Sequence, residues 1–284
     1  MTLRIAVQSK GRLFEETIEL FTEAGIKLNN IKRTLLVPAR DFPVEILFLR
    51  DDDIPQAVAT GVADVGVVGE NEFVEKNEGA NIVKPLGFSK CRLSLAIPKS
   101  ENYDGVKWFS RKKIATSYPH ILDTFLKKQG IESEIHEISG SVEISPSIGL
   151  ADAIFDIVSS GGTLVSNGLK EVEVVMQSQA VLLANKKLSD EKKQILDELI
   201  FRIESVQTAA NKKYILLNAP KDKLDEIIKI LPGMKSPTIT PLATEGWCSL
   251  QSVIEDKQFW DIINNLKTLG AEGIIVLPIE KMIL

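Results

Sequence analysis

The chain has 284 residues, 44% hydrophobic and 26% charged, with a formal net charge of −5; that size suits about two domains with real cores and excludes a disordered or broadly nucleic-acid-binding polypeptide. No apolar run approaches the roughly 20 residues that span a bilayer, and the opening MTLRIAVQSKGR has no secretory signal, so neither a membrane nor export is expected. With only two Cys (Cys91, Cys248) and two His (His120, His136), a disulfide framework or Cys-rich zinc site is excluded, a His triad has little raw material, and a reducing, cytoplasmic setting is expected.

Leu3–Gln8 is a short apolar run that predicts a buried strand. Ser9-Lys10-Gly11-Arg12 follows, then a helical pattern from Leu13 to Ala24 stopped by Gly25. Val44–Leu49 predicts a second strand. In Arg50-Asp51-Asp52-Asp53-Ile54-Pro55, Asp53 suits an N-cap and Pro55 a first helical turn, so a helix is expected over Pro55–Thr60, ended by Gly61. The three Asp are read as helix-start charges rather than a metal site. Ala63–Val68 predicts a third strand. Strands alternating with helices imply an α/β protein with a mainly parallel sheet.

The same grammar recurs in the middle of the chain. Arg92–Pro98 and Lys113–Thr116 predict strands, the second entering Ser117-Tyr118-Pro119 and a helix from His120 to about Gln129. Ile131–Ile138 is strand-like, and Pro146–Ile148 reads as a helical turn. Ala151–Val158 fits helix or strand by periodicity; the breaker Ser159-Ser160-Gly161-Gly162-Thr163 favours a strand, with a helix beginning at Thr163. Gly61-Val62-Ala63-Asp64 is echoed by Gly149-Leu150-Ala151-Asp152, as two related lobes around a ligand cleft would leave. A charged helix over Glu191–Gln207 follows. Beyond a boundary near 210, strand Tyr214–Leu217, helix Asp222–Leu231, strands Thr238–Leu242 and Ser249–Ile254, helix Phe259–Leu269 and strand Gly273–Leu277 spell βαββαβ, the ferredoxin-like arrangement.

The strongest chemical signal is the small-residue loop Ser159–Thr163 between a strand and a helix. Its glycines allow close backbone approach, successive N–H groups can face an anion, and Ser and Thr hydroxyls add donors. Asp156 lies at the carboxyl end of the preceding strand, where α/β proteins bind ligands, and suits ribose hydroxyls or a ligand-bound Mg²⁺. An ordinary N-capped loop satisfies the same spacing. Ser9–Arg12 resembles a phosphate-approach loop but completes neither GxxxxGK[ST] nor GxGxxG. Arg50, Lys90, Arg92 and Arg111–Lys113 are further basic positions, each either a solvated charge or an anion partner. Cys91 beside Arg92 reads as a small buried residue next to a ligand-binding Arg rather than an activated thiolate. His120 reads as a capping or packing residue rather than a general base.

The ordered segments SKGRL, LRDDDIP, GVADVGVVGEN, CRLSLAIP, IATSYPH, GSVEISPSIGLADAIFDIVSSGGTL, SPTITPLA and LGAEGIIVLPIEKM together resemble the long form of the ATP phosphoribosyltransferase family of histidine biosynthesis. The resemblance runs from Arg4 to Met282. It implies an α/β, two-lobed, type II periplasmic-binding-protein-like catalytic body plus a C-terminal ferredoxin-like (βαββαβ) regulatory domain. Lobe I would comprise residues 1–90 and 180–209, lobe II residues 91–179, and the regulatory domain residues 210–284.

The implied reaction is Mg²⁺-dependent transfer of the phosphoribosyl group of phosphoribosyl pyrophosphate (PRPP) to N1 of ATP, a glycosyl transfer that releases pyrophosphate. Carried over by motif, Ser159, Ser160, Gly161, Gly162 and Thr163 would hold the PRPP 5′-phosphate and Asp156 its ribose hydroxyls. Glu143 would face the ribose or the Mg²⁺-pyrophosphate. Lys10, Gly11 and Arg12, with Arg50 and Arg92, would bind triphosphate or pyrophosphate, and Asp64, Thr116, Ser117 and Tyr118 would line the cleft. Asp156, Glu143 and Arg92 would be the catalytic group. Histidine would inhibit through Thr238, Thr240 and Gly273. The family implies a homo-oligomer, dimer to hexamer, without a separate regulatory subunit, nucleic acid or membrane. The alternative is a two-lobed small-molecule binding or effector-sensing module without catalysis.

Overall fold

β1 (Leu3–Gln8) and α1 (Arg12–Glu23) open the chain, followed by β2 (Leu36–Pro38), β3 (Val44–Leu49), α2 (Ile54–Thr60), β4 (Val65–Gly69), α3 (Glu70–Lys76) and β5 (Ala80–Pro85). The computed structural model describes residues 1–28 and 35–284. Next come β6 (Cys91–Pro98), β7 (Lys113–Thr116), α4 (Pro119–Gln129), β8 (Glu134–Glu137), β9 (Ala153–Val158), α5 (Gly162–Ser166) and β10 (Leu169–Ser178). β11 (Ala180–Asn185) and α6 (Asp190–Ala209) precede β12 (Lys212–Pro220), α7 (Leu224–Ile230), β13 (Thr238–Pro241), β14 (Trp247–Glu255), α8 (Phe259–Thr268) and β15 (Glu272–Pro278).

The strands form three sheets, ordered β2-β3-β1-β4-β11-β5, β10-β6-β9-β7-β8 and β13-β14-β12-β15. In the first, β3, β1 and β4 run parallel, while β2 and β11 are antiparallel to their neighbours. In the second, β9, β7 and β8 run parallel, and β6 lies antiparallel between β10 and β9. Interior strands such as β1 and β4 are buried on both faces, which is why their sequences are near-continuous apolar runs rather than alternating ones. Gly66 permits this packing: a Cβ there would meet Ile54 Cγ2 at 2.6 Å and Val58 Cγ2 at 2.8 Å, so its absence lets α2 lie against β4. The second sheet has its own core around Leu93, Leu95, Phe109, Leu122 and Phe155.

The chain divides into two compact units, Met1–Thr22 with Ile26–Leu196 and Glu23–Gly25 with Asp197–Leu284. The first two sheets lie in the first unit, and the division falls inside α6, upstream of the expected boundary near 210. In the second unit the sheet is antiparallel throughout, and its order matches the ferredoxin-like arrangement expected from βαββαβ. Ile215, Leu217, Leu250 and Leu266 fill its core.

Several local expectations are corrected. Asp51–Asp53 form a 3₁₀ turn, α2 starts at Ile54, and Asp53 makes no side-chain cap bond. The helical turn expected at Pro146–Ile148 is present as hydrogen-bonded turns, and a 3₁₀ turn at Val142–Ile144 precedes it. The reading in chain order passed over α3, β5, β10 and β11. β10 departs from clean alternation because its pairing with β6 contains two register shifts.

Candidate active site

Strand direction collects the candidate residues. β1, β3 and β4 are parallel, so their carboxyl ends bring Lys10, Gly11 and Arg12, then Arg50, then Glu70 and Asn71 to one edge of the first sheet. Lys10, Gly11, Arg12 and Arg50 are exposed there. In the second sheet the carboxyl ends of β7, β8, β9 and β10 and the amino end of β6 share one edge. That edge carries Ser117 and Tyr118, the 3₁₀ turn with Glu143, Asp156 with the 159–163 loop, Ser178, and Arg92.

The loop Ser159–Thr163 follows β9 and enters α5 with Gly161 at φ +82°, a left-handed conformation that suits glycine. Among the described residues, the N–H groups of Ser160, Gly161 and Thr163 have no recorded acceptor. The Gly162 N–H reaches Ser160 Oγ at 3.5 Å, a long contact. α5 is only five residues long, so its anion affinity rests on these free N–H groups more than on a helix dipole.

Asp156 is partly buried, and among the described residues no cation pairs with its carboxylate. Burial, together with the nearby Glu143 charge, pushes its carboxyl up to about 6, even though the Ile157 N–H donates to it at 2.7 Å. A carboxyl raised in this way, with no basic partner among the described residues, favours an incoming cation.

Tyr118 joins the two sheets of this unit. Its hydroxyl donates to Glu72 Oε1 at 2.9 Å and accepts from Asn71 Nδ2 at 3.3 Å. Burial first, then the Glu72 charge, pushes the phenol far above its ordinary range. Burial also raises Glu72, against the Tyr118 hydrogen bond, and the Asp51 and Asp52 charges raise it further. Ser178 adds a second tie, donating to Asn71 Oδ1 at 2.8 Å while accepting the Asn71 N–H at 3.1 Å. A third comes from Glu75, whose carboxylate accepts the His120 and Ile121 N–H groups at 2.8 and 2.9 Å, capping α4 from the opposite lobe. His120 contributes a backbone donor here. Cys91 is half-buried, and burial raises its thiol, so it is no activated nucleophile.

Other candidates occupy different roles from those expected. Asp64 lies before β4, at the opposite edge of the first sheet, and is nearly buried. It accepts the Arg4 N–H at 2.9 Å and Lys192 Nζ at 2.6 Å, a structural pairing at the sheet edge opposite Lys10, Arg12 and Arg50. Thr116 is fully buried, and its Oγ1 accepts the Tyr118 N–H at 2.8 Å. Ser117 Oγ donates to the Ile138 carbonyl at 2.6 Å. Thr116 and Ser117 therefore shape the turn that presents Tyr118. Arg92 is bound by Glu171 through Nε at 2.5 Å and Nη2 at 2.6 Å, and its Nη1 donates to the Ser159 carbonyl at 3.0 Å. It holds the loop rather than standing free for a phosphate.

Glu72, Asn71, Glu75, Ser178 and Glu171 escaped the residue-by-residue reading. α3 has no side-chain N-cap to announce it, and each partner lies far away in sequence. In the second unit, pairing puts Thr240, Ser249 and Asn218 in one row across β13, β14 and β12, and that row continues to Glu272 beside Gly273. Gly273 takes φ +58°, and a Cβ there would meet Asn218 Nδ2 at 3.2 Å.

Among the described residues, no helix is long and apolar enough to cross a membrane. The family described as ATP phosphoribosyltransferase matches residues 50–205, and that described as HisG, C-terminal domain, matches residues 209–281. An ATP phosphoribosyltransferase of Bacteroides fragilis is 69% identical over 282 residues, covering 99% of this chain and 100% of that one. One from Bacteroides thetaiotaomicron is 70% identical over 281 residues, covering 99% of each. Among solved structures, a chain of the ATP phosphoribosyl transferase (HisG:HisZ) complex from Thermotoga maritima has a TM-score of 0.61 at 26% identity, covering 72% of this chain and 99% of that one. The periplasmic sulfonate-binding protein SsuA from Methylobacillus flagellatus KT, at TM-score 0.50 and 15% identity, covers 81% of this chain and 72% of that one and is alike in fold. The chain belongs to the ATP phosphoribosyltransferase family, in its long form with the C-terminal domain.

Proposed function

We propose that this chain transfers the phosphoribosyl group of PRPP to N1 of ATP and releases pyrophosphate, the first step of histidine biosynthesis. The observation that carries the site assignment is the 159–163 loop, which follows Asp156 at the end of β9, bends at left-handed Gly161 and leaves the Ser160, Gly161 and Thr163 N–H groups without a protein acceptor among the described residues. The adenine N1 already has a lone pair, so little base catalysis is needed. The demand is electrostatic: positive charge grows on the ribose carbon while the pyrophosphate oxygen leaves.

Ser159–Thr163 bind the 5′-phosphate through backbone N–H and hydroxyl donors. Asp156 orients the ribose hydroxyls, and with Glu143 it stabilises the electron-poor C1. Lys10, Arg12 and Arg50, exposed at one sheet edge, receive the triphosphate and pyrophosphate groups, with Gly11 allowing close approach. Tyr118 and Glu72 define the seam between the two lobes. The alternative, a binding module without catalysis, is disfavoured by full-length relatives named as transferases.

The all-oxygen donor set suits Mg²⁺, a hard cation that keeps waters and substrate phosphates in its shell. No group of three or more His, Cys, Asp or Glu among the described residues is arranged to hold an ion alone. The fit is therefore to an ion carried by PRPP, with Glu143 and Asp156 beside it. Such an ion would neutralise charge on the departing pyrophosphate.

In this reading the catalytic lobes are residues 1–90 with 180–209 and residues 91–179, and residues 210–284 sense histidine through Thr238, Thr240 and Gly273. The sensor sits in the same chain, so no separate regulatory subunit is required. Ile275 and Leu277, exposed at 51% and 49%, support self-association of this domain in a dimer-to-hexamer assembly. A cytoplasmic enzyme accords with the free Cys91 and Cys248.

The test is to mix the purified chain with ATP, PRPP and Mg²⁺ and to follow pyrophosphate and phosphoribosyl-ATP by mass spectrometry. Absence of both products across pH and metal conditions would sink the proposal.

A further inference from the structure

We propose that Glu171 is a positioning residue for the phosphate-binding loop: it locks Arg92 against the Ser159 carbonyl and so turns the Ser160 N–H toward the ligand. This rests on the reading that Ser159–Thr163 bind the PRPP 5′-phosphate.

The argument begins at a strand irregularity. Glu171 lies on β10 opposite Ala96, and the pairing shifts register between Glu171 and Glu173. Such a bulge re-aims side chains and bends the strand locally. Here the Glu171 carboxylate meets three donors. Oε2 takes Arg92 Nη2 at 2.6 Å, and Oε1 takes both Arg92 Nε at 2.5 Å and Ser94 Oγ at 2.6 Å. Ser94 is 1% exposed, so this hydroxyl is a fixed support rather than a mobile surface group.

A guanidinium is planar and rigid. Fixing Nε and Nη2 on one carboxylate leaves no torsion free to redirect Nη1, which therefore points at the Ser159 carbonyl, 3.0 Å away. In a trans peptide the C=O and the following N–H point in opposite directions, and the chain contains no cis peptide among the described residues. Holding the Ser159 oxygen from the Arg92 side consequently directs the Ser160 N–H to the other side. That N–H has no recorded acceptor among the described residues. A cation on the carbonyl also polarises the peptide and strengthens its N–H as a donor. Lys99 Nζ donates to the Val165 carbonyl at 3.1 Å, near the C-terminal end of α5.

Arg92 holds the Glu171 carboxyl below the usual carboxylate range, and Glu171 in turn raises the guanidinium. A guanidinium so engaged acts on the ligand through the loop rather than by direct contact.

The test compares wild type with Glu171→Gln, Arg92→Lys, Ser94→Ala and the double variant Glu171→Gln/Arg92→Lys. The expected result for Glu171→Gln is a KM for PRPP raised about five- to fiftyfold, with the KM for ATP within about twofold and the melting temperature nearly kept. The double variant should be no worse than the more severe single one, because the two residues act as one unit. Ser94→Ala, which removes one of three donors and keeps both charges, should give a smaller change of the same kind. A crystal structure of Glu171→Gln without substrate should show Arg92 released from Ser159 and the Ser159–Ser160 peptide reoriented. An unmoved peptide would overturn the clamp. A reoriented peptide with unchanged PRPP kinetics would instead overturn the phosphate-binding reading of the loop. Equal rises in both KM values with a fallen melting temperature would reduce Glu171 to a purely structural role and overturn the proposal. A lowered KM for PRPP would do so too, by showing that freed Arg92 is itself a ligand.

Discussion

The Tyr118 hydroxyl donates to the Glu72 carboxylate at 2.9 Å, tying the turn after β7 to the first turn of α3 across the two sheets of one unit. Glu72 is a half-buried acid whose carboxyl is raised by desolvation and lowered most by this phenol, with a smaller lowering by Lys76. The sign of its effect follows from linkage. A carboxyl raised in the folded state adds no cost below its unfolded value; the cost grows as pH climbs from the unfolded to the folded value and is full above it. Tyr118→Phe removes the restraint, so the folded value climbs further. The variant should lose about 1–3 kcal/mol at pH 8 and much less at pH 4. Calorimetry at the two pH values checks this; equal losses would assign the effect to packing instead.

Asp156 carries the same sign with a value attached. Its carboxyl is pushed up to about 6 by burial and then by Glu143. Ionised Asp156 therefore costs stability above pH 6, and that cost fades as pH falls toward 4. Asp156→Asn keeps an acceptor for the Ile157 N–H and removes the charge. It should stabilise the protein by about 1–3 kcal/mol at pH 8 and hardly at all at pH 4. Its kcat/KM should fall at least about a hundredfold, the trade expected where a site stores unfavourable charge for function. A variant that is no more stable at pH 8 would mean that Asp156 already has a counter-charge.

Thr163 offers a hydroxyl and an N–H at the start of α5. Thr163→Ala leaves the backbone donor and removes the hydroxyl, which in the proposed site leaves one phosphate contact unmade. The KM for PRPP should rise about ten- to a hundredfold with little change in that for ATP. Unchanged PRPP kinetics would remove the hydroxyl from the site.

Asp64 provides a control from the opposite sheet edge. With Lys192 Nζ at 2.6 Å and the Arg4 N–H at 2.9 Å, it is a stability residue. Asp64→Asn should cost about 1–3 kcal/mol and leave the KM for ATP within about twofold. A tenfold rise in that KM at unchanged melting temperature would return Asp64 to the cleft.

Thr240 lies in the polar row with Ser249 and Asn218. Thr240→Val keeps the shape and removes the hydroxyl. The histidine concentration giving half inhibition should rise about tenfold or more, equivalent to ~1.4 kcal/mol. Unaltered inhibition would move the sensor site elsewhere.

Local physics made much of this fold legible in the sequence. β1, β3 and β7 begin and end where the apolar runs do, because buried parallel strands must be apolar on both faces. The βαββαβ order of the second unit follows from Gly and Pro stops between short strands and helices. The 159–163 loop stands out because its glycines and hydroxyls are adjacent in the chain. Where local signals were weak, elements were missed: α3 lacks a side-chain cap, and the bulges of β10 break its alternation.

Sequence alone thus settled which segments are strands and helices where the signal is short-range, and which loop is chemically distinctive. It did not settle which charge meets which. Asp64 and Arg92 look equally available in the chain, yet one is tied to Lys192 and the other to Glu171. Those partners lie on strands and helices brought together only by sheet order and strand direction. A charge is free for a ligand only when no such neighbour neutralises it, and that depends on distance in space, where electrostatic and hydrogen-bond energies are set.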